Sequence, residues 1–361
     1  MKNKIAWLGM AGLLTVNALG LQAAVIVDFK GTASSVNGFY SWSDTNNWVG
    51  GVLPATTDNA RFRYADSENK AYLEEDAQVS SLNLNAGIHA ELAGKAIIEI
   101  DSYLNFTATT ATNRLAVHDN IIMEVGNRMR FKGGRTEINL YDDSILDTQV
   151  SFDEAGSEFV VNLYDNASYT KLISPLSAGN ISNGHFVLNE CSSVIANMLT
   201  AQELYDHWMV YGTTFHLNDG ASIIFQTSAS NPSDIEAYIA AGYLKINGSS
   251  NAVSNVDYTY DAVSGVLKAY SGRLHFQALD EIAPNTVLTA KLNGVTLEPS
   301  PDVGEIFESN QPQQMVGTST NTRAWKIPAT LLTDGSNTVT VTSSSSSTQD
   351  VTAAWVDIMT Y

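Results

Sequence analysis

Four short stretches of the chain repeat one strand and one corner. They are Glu137-Ile-Asn-Leu-Tyr-Asp-Asp-Ser144, Val160-Val-Asn-Leu-Tyr-Asp-Asn-Ala167, Phe186-Val-Leu-Asn-Glu-Cys-Ser192 and Phe215-His-Leu-Asn-Asp-Gly-Ala221. Aligned on Leu140, Leu163, Leu188 and Leu217, each has an acid two positions later (Asp142, Asp165, Glu190, Asp219) and a small residue four positions later (Ser144, Ala167, Ser192, Ala221). The leucines lie 23, 25 and 29 residues apart, within the range of periods at which one supersecondary unit stacks on the next. A unit this short cannot bury its own apolar row, so its neighbours must cover it. The register extends more weakly to Leu84, Ile100 and Val125 on one side and to Ile246 on the other. Residues 25–270 show almost no helical periodicity, and their Asn, Asp and Gly suit corners that need left-handed backbone. The expected class is all-β, with a parallel β-helix over residues 25–270.

Two other textures interrupt or follow that pattern. Asn231-Pro-Ser-Asp-Ile-Glu-Ala-Tyr-Ile-Ala-Ala-Gly242 predicts a short helix near 232–241, with Ser233 as N-cap, Glu236 three residues on and Gly242 as the stop. After Tyr270, the stretches Leu274-His-Phe-Gln-Ala278, Thr286-Val-Leu-Thr-Ala-Lys-Leu292, Asn337-Thr-Val-Thr-Val-Thr342 and Ala354-Trp-Val-Asp-Ile-Met359 alternate as half-buried strands. Pro299, Pro301, Pro312 and the serine run from Ser343 lie between them. This predicts a second domain, a β-sandwich over 271–361, with Trp325 and Trp355 in its core.

Residues 1–24 read as an export signal: Lys2 and Lys4 precede an apolar stretch from Ile5 to Val16 that is too short to span a bilayer. A retained anchor is the other reading. An exported chain with the single cysteine Cys191 has no internal disulfide. Its corner position predicts a buried thiol, with an intermolecular crosslink as the alternative. The net charge of −19 counts against nucleic acid and anionic membrane surfaces as partners. No later segment is apolar enough for a membrane span, and the oligomeric state leaves no mark in the sequence.

The stretch Trp42-Ser-Asp-Thr-Asn-Asn-Trp48, continued by Pro54, Asp58, Ala60 and Phe62, resembles the opening of secreted bacterial β-helix proteins with autotransporter-associated-type β-strand repeats. Tyr238-Ile-Ala-Ala-Gly-Tyr-Leu244, Val256-Asp-Tyr-Thr-Tyr260 and Gly265-Val-Leu-Lys-Ala269 are similar to the way such proteins end. The likeness covers residues 27–270 and implies the paired indoles as an N-terminal cap. Lys291-Leu-Asn-Gly-Val295, Trp325-Lys-Ile-Pro-Ala-Thr-Leu-Leu332 and Asp334-Gly-Ser-Asn-Thr-Val339 resemble galactose-binding-like jelly-roll modules. Such modules bind sugars in some proteins and serve as structural spacers in others; the reading taken is an exported or cell-surface protein that binds extracellular polysaccharide or glycan, or serves adhesion, in preference to an enzyme.

Three groups of residues are candidates for chemistry. The acids Asp142, Asp165, Glu190 and Asp219 would stack at the ~4.8 Å spacing of neighbouring strands. Either each caps a turn, or the column holds a cation, with calcium the one that fits carboxylate oxygens. The run Arg128-Met-Arg130-Phe-Lys132 places Arg128, Arg130 and Lys132 on one strand face and Met129 and Phe131 on the other. Those cations either pair with Glu124, Glu137 and Asp142 or grip an anionic polysaccharide. In β-helix lyases such residues serve catalysis. Tyr141 and Tyr164 occupy equivalent repeat positions and form either a structural ladder or a platform for sugar rings. No catalytic motif is present: G-x-S-x-G, H-E-x-x-H, Walker and dinucleotide signatures are all missing. No catalytic residue is therefore assigned. A polysaccharide lyase or glycosidase and a purely structural component of an extracellular assembly remain the alternatives to a binding protein.

Overall fold

A computed structural model of the protein describes residues 25–33, 35–64, 66–107, 111–196, 199–218, 220–225, 231–270, 272–282, 286–300, 321–333, 335–344 and 351–360. The expected signal (1–24), Asp219, Pro301 and Pro312 lie outside the described residues. The chain is mostly β. Up to Leu244–Ile246 its strands alternate between two sheets, of thirteen and ten strands among the described residues. Neighbours within both sheets are parallel, apart from a hairpin at the start (Ser35–Val36 with Phe39–Ser41) and one at the end of the first sheet.

One pass of the chain illustrates the layout. Ile97–Phe106 lies in the first sheet, Asn113–Val117 in the second, and Ile122–Val125 and Arg128–Phe131 return to the first. Those last two strands both pair with Ile97–Phe106, through its first and second halves respectively. This pass thus contributes inward apolar residues at three places. This corrects the register expected from the sequence. Leu140 is paired with Val117 and Leu163, and the row continues through Leu188 and Leu217 to Ile246. Leu84, however, pairs with Phe62 and Phe106, while Ile100 pairs with Val79 and Val125. The two belong to separate rows of the first sheet. A step of 15 or 16 residues moves from one row to another within a pass, not from one pass to the next.

The inward rows merge into one core running from Val27 to Ala269. Phe106, Phe131 and Phe152 stack face to face at 5.6 and 5.2 Å, and Phe186 stacks on Phe215 at 5.0 Å. Each such pair adds about 0.5–1.5 kcal/mol beyond the area it buries. At the N-terminal end Trp42 and Trp48 are buried against Phe29, and the Trp48 indole N–H donates to the Trp42 carbonyl at 2.8 Å.

Toward the other end two helices stand where the first sheet's second row stops: α1 (Ala201–His207) and α2 (Pro232–Ala240). The first carries a capping box, Thr200 with Glu203, that sequence reading passed over. The second is capped by Asn231 rather than Ser233. The fixed φ of Pro232 suits the first helical position, so the cap falls to the residue before it. Cys191 is exposed, not buried. It follows the left-handed Glu190 at the corner, and the buried residue there is Ser192.

The described strands between Gly272 and Thr360 form two antiparallel sheets. Glu298–Ser300, Thr322–Lys326, Gly272–Ala278 and Ala353–Thr360 make one, and Val295–Thr296, Val287–Leu292 and Val339–Ser344 the other. Leu274, Phe276, Ala290, Leu292, Trp325 and Ile327 form their own core.

Candidate functional site: the outer face of the second sheet

Side chains on the second sheet alternate, so every second residue faces out and aligns with its register partner on the next strand. The corner that ends each strand carries two columns side by side. One step past the inward row come Tyr72, Ala93, His118, Tyr141, Tyr164, Asn189, Asn218 and Asn247. One further on lie the acids.

Asp142, Asp165 and Glu190, joined by Asp119, have φ between 56° and 60°, a left-handed conformation that Asp tolerates better than most residues. Their carboxylates do not cap their own turns. Each reaches the backbone N–H at the same corner of the preceding pass: Gly94 N–H to Asp119 at 3.0 Å, Asp119 N–H to Asp142 at 2.9 Å, Asp142 N–H to Asp165 at 3.1 Å and Asp165 N–H to Glu190 at 2.7 Å. The column is a ladder of charge-assisted bonds between passes. It opens on Gly94, at φ +126°, where a Cβ would come within 2.2 Å of the Leu73 carbonyl oxygen. Among the described residues no three His, Cys, Asp or Glu side chains gather closely enough to hold a metal ion, and a carboxylate that is taking an N–H has less to give to calcium. Asp165→Ala is therefore expected to cost about 1–2 kcal/mol in urea denaturation, with Asp165→Asn recovering more than half. Chelating divalent ions should leave the melting temperature of the wild-type chain unchanged; a fall would put a cation on the column.

Tyr141 and Tyr164 stack at 4.9 Å and 6°, and His118 stacks on Tyr141 at 4.7 Å and 2°. Partial burial raises both phenols above their usual pKa, with neighbouring carboxylates adding to the effect. This stack is the ladder alternative for the two tyrosines. Both faces of Tyr141 are covered by its neighbours, and one face of Tyr164, so little flat surface is left for a sugar. The other end of the stack is His118, which has Phe39 beside it. Before His118 the column is interrupted by Ala93, only 4% exposed, and resumes at Tyr72. With one pass skipped, Tyr72 and His118 stand about two strand spacings apart, ~9–10 Å. The gap is a cavity of about 330 Å³ lined by Asn37, Phe39, Tyr72, Glu91, Ala93, His118, Asp119 and Asp142. Phe39 approaches His118 edge-on at 6.2 Å, and Lys70 lies over Phe39 while pairing with Glu91 at 2.8 Å.

The basic run lies elsewhere. Arg128–Phe131 is a strand of the first sheet, so Arg128, Arg130 and Lys132 do not share a face with Tyr141 and Tyr164. Met129 and Phe131 are buried and the three cations half-buried, as alternation requires. Arg130 donates from Nε to Asp153 at 2.7 Å and lies over the Tyr103 ring at 4.6 Å. Arg128 donates to Asn127 at 2.9 Å. The expected partner Glu137 pairs with Arg114 instead, at 3.3 Å. Asp153 is one pass further on, just past the adjacent strand Val150–Phe152, in which Ser151 is the register partner of Arg130.

At the far end of the second sheet's outer face, His185 Nδ1 and His216 Nε2 both contact the Thr214 hydroxyl, at 2.7 and 3.1 Å. Burial, then Lys245, lower the pKa of both rings, and His216 is brought down to about 4. The native state thus binds fewer protons at His216 than the unfolded chain between pH 6.5 and about 4. Its contribution to stability is complete above the unfolded value and is lost as pH falls through that window. Wild-type protein is expected to lose more stability than His216→Gln between about pH 7 and pH 5; equal losses in paired urea titrations would refute it.

A larger cavity, about 540 Å³, lies where the parallel strands meet the antiparallel sheets, between Asn247, Tyr270, Arg273, Leu297 and Lys326. Comparison with family models, curated proteins and solved structures gives no match to this chain.

Proposed function

We propose that the protein is an exported, non-enzymatic carbohydrate-binding protein whose parallel sheets wind as a β-helix and whose antiparallel sheets form a C-terminal β-sandwich. The observation that carries the binding reading is the gap at Ala93. A pyranose ring is flat enough to enter it, presents C–H groups to the faces of His118 and Tyr72, and offers hydroxyls to Glu91, Asp119 and Asp142. Aromatic walls with a few convergent polar groups are the usual composition of a small-ligand site. The acidic rim favours neutral or amino sugars and disfavours uronates, so the ligand class differs from the anionic polysaccharide suggested by Arg128, Arg130 and Lys132. The winding is supported by the alternation of strands between two parallel sheets over one continuous core. Titration of the full chain with a panel of neutral and amino-sugar oligosaccharides is expected to give saturable heat for at least one. A flat response across the panel would leave the structural-component reading in its place.

A further inference from the structure

We propose that His185, Thr214, His216 and Lys245 form an oxyanion site on the outer face of the second sheet, separate from the gap at Ala93 and opposite to it in charge. In register, His216 stands directly beside Lys245 on the next strand, and His185 directly beside Thr214. The two imidazoles, with ring centroids 5.8 Å apart, converge on one hydroxyl. The other flanking positions are uncharged: Val187 opposite His216, and Val160 opposite His185. The charged groups further off are Arg135, whose field is felt at His185, and Glu158 on the strand between them. Among the described residues neither Lys245 nor Arg135 has a carboxylate within 4.0 Å, although Glu158 is the register neighbour of Arg135. In a chain of net charge −19, an uncompensated cationic patch on a flat face is a place for an anion of matching size. Lys245 supplies the fixed cation of the site, and the Thr214 hydroxyl ties the two rings together. Each neutral imidazole has one N–H and one bare ring nitrogen, and protonation adds a second donor and a positive charge. A bound sulfate, phosphate or sulfated-sugar group therefore stabilises the protonated rings, and the site tightens as pH falls.

The test is titration of the full chain with sodium sulfate at about pH 7.5 and about pH 5, following the ring resonances of His185 and His216 by NMR, with sodium chloride at equal ionic strength as control. Saturable shifts specific to sulfate are expected, with roughly tenfold tighter binding at the lower pH. Lys245→Gln should weaken binding several-fold at both pH values, and His216→Gln should remove most of the pH dependence. Shifts that chloride reproduces, or sulfate affinity that is unchanged in Lys245→Gln, would overturn the site. Repeating the titration with a sulfated and an unsulfated form of one oligosaccharide separates a glycan-borne sulfate from the free ion.

Discussion

Trp208→Ala is expected to destabilise the protein by about 3–5 kcal/mol, near the upper end of what one core truncation does. The indole is fully buried at the end of α1. Phe152, Phe159 and Phe186 meet it edge-on at 6.3, 6.2 and 5.6 Å, and its N–H donates to the Ile173 carbonyl at 3.0 Å. It sits beyond Val150–Phe152, the last strand in the second row of the first sheet, and fills the interior where further strands of that row are missing. The loss therefore has two parts, a cavity amid aromatic rings and a half-buried carbonyl without its donor. Trp208→Phe separates them. It keeps most of the ring and forfeits the hydrogen bond, for an expected cost of about 1–3 kcal/mol. Urea denaturation gives both values. A loss under about 1 kcal/mol for the alanine variant would mean that the helix, not the indole, closes this part of the core.

Ala93→Tyr is expected to reduce carbohydrate binding beyond detection, at least about 100-fold, while leaving the denaturation midpoint unchanged or raised. A tyrosine there would complete the column from Tyr72 through His118 to Tyr164, adding ring contacts of about 0.5–1.5 kcal/mol each and filling the cavity the sugar needs. Binding and stability thus move in opposite or independent directions, which a merely disruptive mutation does not produce. His118→Ala removes one wall only and should weaken binding by about five- to tenfold, without the steric block. If Ala93→Tyr binds the oligosaccharide as well as the wild type does, the site is elsewhere, and the large cavity beside Tyr270 is the next place to look.

The spacing of Leu140, Leu163, Leu188 and Leu217 was enough to show which residues align in the second sheet, because each falls at the same point before a corner. It was not enough for the first sheet. There, two strands of one pass contribute separate apolar rows, and Leu84, Ile100 and Val125 are interchangeable with the true row by residue type. The equivalence of Tyr141 and Tyr164 was also readable, but not that their faces are covered, since that depends on the ring geometry of His118 in the pass before. The gap itself rests on an alanine, a residue with no chemical signature, found only after Tyr72 and His118 are placed in one column. Met129 and Phe131 turned inward by simple alternation. The partner of Arg130 was missed because Asp153 is a whole pass away, beyond the nearby acids that local reading favours. Thr200 and Glu203 carried a legible helix start, obscured by the strand-like sequence around it.

The ladder at the corners has a direction. Asp142 lends its carboxylate backward to Asp119 but depends on Asp165, 23 residues ahead, for the bond to its own N–H, and Asp165 depends in turn on Glu190. A chain emerging N-terminus first cannot lock any of these corners when the corner itself appears. Each waits for the next pass to arrive, so the most recently emerged corner is always the loose one. Cutting the chain short from the C-terminal side should consequently loosen the last remaining corner each time, whereas trimming from the other side leaves the surviving N–H groups paired.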